Sequence, residues 1–192
     1  MKIRFSFANL SEIFSISVLT QPLRISSAVC SSGSLLMLFT SLTTSYWVTE
    51  QSSHGLIHSG LWEVCLHPHC HYFQFNILLL CSSPTEYLHV TRAFLILALL
   101  FGMASLLFIC ISFERVSMGP IYFMAIAGLL SFTTAFSILI ANSVFTAVYR
   151  SKQLYLLHLV IFGSSYGLCW ASLPAYIITG IIIMITHRTT LH

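Results

Sequence analysis

A chain of 192 residues that is 57% hydrophobic and only 7% charged, with a mean hydropathy of +0.89, carries more apolar surface than one soluble core of that size can hide. Its net charge of +3 comes from eight Lys and Arg against five acids, all of them glutamate, and is spread along the whole chain, which excludes a nucleic-acid-binding face. With no aspartate, no phosphate-binding glycine loop, no Ser-His-acid set in a credible setting and no carboxylate inside an apolar run, neither an enzyme nor a bound cofactor is expected.

Residues 1 to 22 carry Lys2 and Arg4, an apolar stretch from Leu10 to Leu19 broken by Glu12, and then Pro22. No clean small-residue cleavage site follows that stretch, so a retained cytoplasmic or interfacial arm is expected rather than a signal peptide. The sequon Asn9-Leu10-Ser11 would then go unused, because glycosylation is lumenal.

Crossing about 30 Å of hydrocarbon at about 1.5 Å per residue takes roughly 20 apolar residues, and only helices or closed barrels satisfy their backbone there. Four continuous, non-alternating runs meet that length: about 23–44, 90–113, 121–148 and 164–186. The chain therefore reads as a single four-helix transmembrane domain over 23–188, with a short tail at 189–192. Lys2, Arg4, Arg24, Arg115 and Arg188 fall on one side of this layout, and Arg92, Arg150 and Lys152 on the other. Positive charge stays inside, so both termini are expected in the cytoplasm, with the lipid bilayer as the main partner. An oxidised cysteine pair in the first loop would favour the same orientation, since such pairs persist outside the cytosol.

The first outer loop, 45–89, is by far the longest connection, and loops of that length are usually functional or structured. Cys65 and Cys70 lie close enough in sequence to close a small loop as a structural staple if the chain turns; two free thiols are the other reading. Trp47, with Tyr46, and Trp62 stand where aromatic rings anchor at a membrane interface. Gly60 ahead of Leu61 and Trp62 suggests a close backbone approach that seats an indole under the loop. His54, His58, Cys65, His67, His69, Cys70 and His71 make a dense set of potential zinc or copper ligands. A metal would require both cysteines to stay reduced outside the cell, so the set reads as a solvated His-rich rim, with no metal expected.

Farther along, Cys81 has no obvious partner and reads as a buried free thiol, the alternative being an intermolecular link. The apolar residues Ile77, Leu78, Leu79 and Leu80 mark a candidate contact surface or membrane-dipping segment. Arg92, at the entrance of the second run, is also a candidate for interaction; snorkelling to headgroups or pairing with Glu63 or Glu86 is its commoner use. Gly119-Pro120 closes a tight hairpin between runs two and three. In the second outer connection, Leu154 to Phe162 reads as the beginning of the last helix. Gly163, Ser164, Ser165, Gly167, Ala171 and Ser172 supply that helix with a small-residue face for packing within one subunit, as Gly128 and Ala135 do for the third.

Trp47, Gly60-Leu61-Trp62, Cys65 and Cys70 together resemble the signature of the peripheral myelin protein, epithelial membrane protein, lens fibre membrane protein and claudin superfamily. His58 to Cys65, Thr91-Arg92-Ala93-Phe94 and Ser165 to Trp170 are most similar to its lens fibre and claudin-domain-containing branch. The resemblance implies an all-α membrane protein: a left-handed, claudin-like four-helix bundle with a small extracellular antiparallel sheet. It also implies that Cys65 and Cys70 are bonded and that Trp62 packs beneath the sheet. It implies a non-enzymatic protein of the plasma membrane, in cell junctions, cell adhesion or membrane organisation, or else an auxiliary subunit of a channel or receptor. Its partners would be copies of itself or other membrane proteins. This sequence departs from the pattern in its long first arm, in the apolar segment 73–83 and in His89, where lens-type members can carry a glycosylated asparagine.

Overall fold

The computed structural model describes residues 6–52, 55–66, 69–72, 86–114, 120–156 and 160–191. Four long helices, α1 (Ser6–Thr43), α2 (Glu86–Glu114), α3 (Pro120–Leu156) and α4 (Ser164–Leu191), contain apolar windows at Gln21–Thr43, Tyr87–Phe113, Phe123–Ser151 and Ser164–Thr189. Each window is long enough to cross a bilayer, so the chain is a multi-pass membrane protein.

Two helices outrun their expected bounds. Pro22 lies inside α1 rather than ahead of it, and the helix continues back to Ser6 through the segment expected to form the arm. A proline costs a helix one N–H donor and crowds the preceding turn, yet the rest of the hydrogen-bond ladder can carry the helix past it. α3 holds 37 residues, about 55 Å at the usual rise, and so projects beyond the hydrocarbon.

Five strands form one antiparallel sheet in the order β4-β3-β2-β1-β5: β1 (Val48–Ser52), β2 (Gly55–Ser59), β3 (Glu63–Leu66), β4 (His69–Tyr72) and β5 (Val160–Phe162). β5 corrects the sequence reading of 154–162 as the start of the last helix. Leu154 to Leu156 finish α3, and Val160–Phe162 pairs with β1, Val48 opposite Phe162 and Glu50 opposite Val160. Three apolar residues cannot be told from a helix start by periodicity alone; the edge of β1 supplies the partner that makes them a strand.

α4 lies between α1 and α3, α3 packs closely on both α2 and α4, and α1 meets α2 only lightly. Lipid is as apolar as leucine, so no hydrophobic force drives these helices together; close packing and interhelical hydrogen bonds must do it. Ser105 on α2 reaches α3 at both Ala127 O and Ser131 Oγ, each at 2.9 Å. Thr146 on α3 meets the Tyr166 hydroxyl on α4 at 2.6 Å. Gly102 lets the buried Tyr176 ring approach α2, Gly180 seats Phe132, and Gly128 faces Met184.

The small-residue set of α4 divides. Ser165 and Ser172 are buried, while Ser164, Gly167 and Ala171 are exposed, so the six residues do not share one packing face. Buried apolar side chains form two clusters. The larger, with Leu38, Trp47, Leu61, Leu95, Phe145 and Tyr176, lies toward the sheet; the smaller, Ile109, Met124, Ala127 and Ile183, lies toward the opposite end.

Replacing Ser105 by Ala removes both contacts with α3. Interhelical hydrogen bonds in lipid average about 0.6 kcal/mol. Unfolding in mixed micelles should show a loss of about 0.6–1.2 kcal/mol for Ser105→Ala, and a loss several times larger would mean that the hydroxyl holds more than α3.

Candidate functional site

A helix leaves its last carbonyls without intrahelical donors, and here the end of α1 leaves the bilayer into protein rather than open water. Thr40 O accepts from Thr44 N at 3.1 Å and from Thr44 Oγ1 at 2.6 Å. The next two carbonyls are taken by tryptophans: Trp47 Nε1–H donates to Ser41 O and Trp62 Nε1–H to Leu42 O, both at 2.8 Å. Both indoles of the signature therefore close the C-terminus of the first span.

Tyr46 and Trp47 are held from both sides. Trp47 N donates to Ser59 O at 3.1 Å, Gly163 N to Trp47 O at 2.9 Å, and Ser165 N to Tyr46 O at 3.1 Å, the last satisfying a free N–H at the start of α4. Ser41 Oγ returns a bond to Ser165 O at 2.6 Å, and Thr44 Oγ1 meets Ser165 Oγ at 2.7 Å. A Cβ at Gly60 would lie under 3.0 Å from the Ser45 backbone, and one at Gly163 under 3.0 Å from the Tyr46 carbonyl. Close approach, not turn conformation, is why both positions are glycine.

Aromatic rings fill the space beneath. The fully buried Trp47 meets Phe145 edge-on at 4.9 Å and Tyr166 at 6.1 Å. Phe145 stacks on Tyr149 at 4.7 Å, and Tyr166 on Phe162 at 4.4 Å. Phe145 and Tyr149 lie one turn apart on α3, whereas Phe162, at the end of β5, is brought onto Tyr166 of α4 by the turn at Gly163.

Arg92 departs from its expected place. It is only 4% exposed; its Nε donates to Leu61 O at 2.8 Å, Nη2 reaches the same oxygen, and the guanidinium carbon lies 5.0 Å from the centre of the Trp62 ring. It neither snorkels to the headgroups nor offers a surface contact; it ties α2 to the Gly60-Leu61-Trp62 turn by hydrogen bonds and a cation–π contact. Glu63 is also engaged locally, since its Oε1 accepts from Ser45 Oγ and its backbone oxygen accepts from Gly60 N at 2.9 Å.

Cys65 and Cys70 face each other across β3 and β4, with Cα atoms 4.0 Å apart, and are joined by a disulfide. The bond clasps the hairpin farthest from β1. His58 packs on Tyr46 at 4.8 Å between ring centres, and His69 is exposed. Among the described residues no three metal-ligating side chains gather. His54, His67, Cys81 and the apolar Ile77, Leu78, Leu79 and Leu80 lie outside the described residues.

Sequence reasoning identified the tryptophans, Gly60 and the cysteines but missed the acceptors, Ser41 O and Leu42 O, and the role of Arg92. Carbonyls leave no mark in a sequence. The one-turn spacing of Phe145 and Tyr149 was readable and points to this cluster.

Four membrane-crossing helices, joined at one end to a disulfide-clasped antiparallel sheet that closes the first span with two indoles, define a tetraspan membrane protein of claudin-like architecture. The chain belongs to the PMP-22/EMP/MP20/Claudin family, whose sequence model matches residues 23–183. It is similar to protein NKG7 of Mus musculus, 28% identical over 152 residues that cover 78% of this chain and 82% of the relative. Protein NKG7 of Bos taurus is 28% identical over 88% of this chain and 94% of its own. The lens fiber membrane intrinsic protein of Bos taurus is 26% identical over 83% of this chain and 88% of its own.

Trp47→Phe keeps an aromatic ring but leaves Ser41 O unsatisfied in a buried place, which costs about 1–3 kcal/mol. Trp62→Phe should cost less, because Trp62 is only partly buried and water can replace its indole N–H. Unfolding of the two variants in micelles should rank them in that order. For Arg92, Lys should retain more stability than Gln, and a cycle with Trp62→Leu should return a coupling of about 0.5–2 kcal/mol.

Proposed function

We propose that this tetraspan protein acts without catalysis, in cell-cell contact, junctions or membrane organisation, by presenting its first outer loop at the plasma membrane with both termini in the cytoplasm. The observation that carries this reading is the rigid mounting of the sheet on the bundle. Two indole N–H groups, one buried guanidinium and two close glycine approaches fix it to the helix ends, and a disulfide braces its β3–β4 hairpin.

Such a mounting suits a surface that must be recognised in a fixed orientation. On β5, which is an edge strand, Ile161 is 60% exposed, and nearby Tyr46 is 51% exposed, so apolar area stands outside the helical core. Edge strands carrying exposed apolar groups are ready contacts for another chain. A second copy of the protein or another membrane protein is the partner proposed, with the undescribed segment containing Ile77 to Leu80 as a further part of the contact.

Cells expressing a tagged form, mixed with cells that do and do not express an untagged form, test the reading. Enrichment at borders between two expressing cells is expected. It should fall by at least half with Ile161→Glu at equal surface level, and Cys65→Ser with Cys70→Ser should weaken it while leaving the helices folded. No enrichment and no self-association in mild detergent would refute the contact role. Recovery of a stoichiometric channel or receptor in the same pulldown would favour the rival reading, an auxiliary subunit.

A further inference from the structure

At the end of the bundle opposite the sheet, a cation has a buried donor with no acceptor among the described residues. Arg24 lies on the same stripe of α1 as the buried Ser27, Ser31, Ser34 and Leu38, at spacings of three or four residues, and so faces the other helices. Its Nε is buried and has no hydrogen-bond partner. One turn nearer the sheet, Ala28 packs on the apolar plug made by Ile109, Met124, Ala127 and Ile183. One turn on the far side of that plug, α2 places Ser112, fully buried and with its hydroxyl also unpartnered.

A guanidinium has five donors and no acceptor, and a serine hydroxyl can donate as well. An unpaired donor in an apolar setting is costly, and the group that satisfies both must be rich in acceptors and negatively charged. Arg24 and Ser112 thus call for a phosphate or a carboxylate. Their surroundings select a lipid: Arg24 lies inside the apolar window Gln21–Thr43, its neighbour Ile25 is 54% exposed, and Ile111 and Phe113 flank Ser112 with exposed side chains. Acyl chains can lie on those faces while the headgroup enters the mouth of the bundle.

We propose that this mouth binds the phosphate headgroup of an anionic phospholipid, with Arg24 as its main ligand and Ser112 as a second donor. The assignment of the site to the cytoplasmic leaflet, where anionic lipids concentrate, rests on the orientation given above; the site itself does not. Arg188, exposed in the last turn of α4, adds positive charge at the same end, and Glu114, two residues beyond Ser112, is the nearest acid in sequence.

The full chain, reconstituted in phosphatidylcholine nanodiscs with a minor fraction of phosphatidylserine, tests this without reference to membrane sidedness or cell contact. Lipid retained after gentle detergent extraction should be enriched in phosphatidylserine by roughly fivefold, about 1 kcal/mol for one arginine at a charged surface. Arg24→Gln should abolish the enrichment and Arg24→Lys should keep part of it. Ser112→Ala should reduce it less than Arg24→Gln, and Arg188→Gln should reduce it little. An intact Cys65–Cys70 bond and unchanged unfolding would show that the variants are folded.

Equal enrichment in the native chain and in Arg24→Gln would overturn the proposal. So would an equal loss with Arg188→Gln, which would mean diffuse attraction, or with Glu114→Gln, which would mean disruption of the helix end. Protection of the protein by inorganic phosphate with no preference among lipids would identify a soluble anion and overturn the lipid assignment.

Discussion

The end of a transmembrane helix that meets protein instead of water must have its carbonyls satisfied by other donors, and much of this molecule is arranged around that requirement. α1 stops at Thr43 with Ser41 O and Leu42 O directed into the base of a sheet. Indole supplies a donor at the end of a large flat apolar body, so one side chain both satisfies a carbonyl and fills the volume around it. Trp47 and Trp62 each do this, and the sheet is consequently anchored to the same helix end that it covers.

From this closure the positions of the other parts follow. Trp47 lies between β2 and β5 through its own backbone, so the strand order is fixed at the helix terminus rather than at the hairpin tips. Gly60 and Gly163 allow the neighbouring backbones to come near enough, and Arg92 brings α2 to the Leu61 carbonyl. The disulfide lies at the far side of the sheet, joining β3 and β4, the strands farthest from the β1–β5 edge.

Within the bilayer a different balance applies. Serines and threonines are buried along all four helices, mostly bonded to their own preceding turn, and a few cross between helices. Side chains bonded to their own helix cost little to bury and contribute little specificity. The bundle is selected instead by small residues that admit large neighbours, as Gly102 admits Tyr176 and Gly180 admits Phe132. The two ends then differ in kind: one is closed by indole, guanidinium and backbone hydrogen bonds, the other leaves Arg24 and Ser112 with unused donors.

What the sequence determined by itself was whatever depends on composition and local spacing. Hydrophobic runs long enough to cross a bilayer report four helices regardless of neighbours, because lipid satisfies no backbone group. Trp47, Gly60, Leu61, Trp62, Cys65 and Cys70 were legible as a unit for the same reason, since their spacing is short and their residue types are chemically distinct. The continuation of α1 through Pro22, the pairing of Val160–Phe162 with β1, the inward turn of Arg92 and the division of the α4 small residues were decided only in the tertiary structure. Each depends on a partner far away in the chain or on a backbone oxygen that every residue type carries, and neither leaves a local signal.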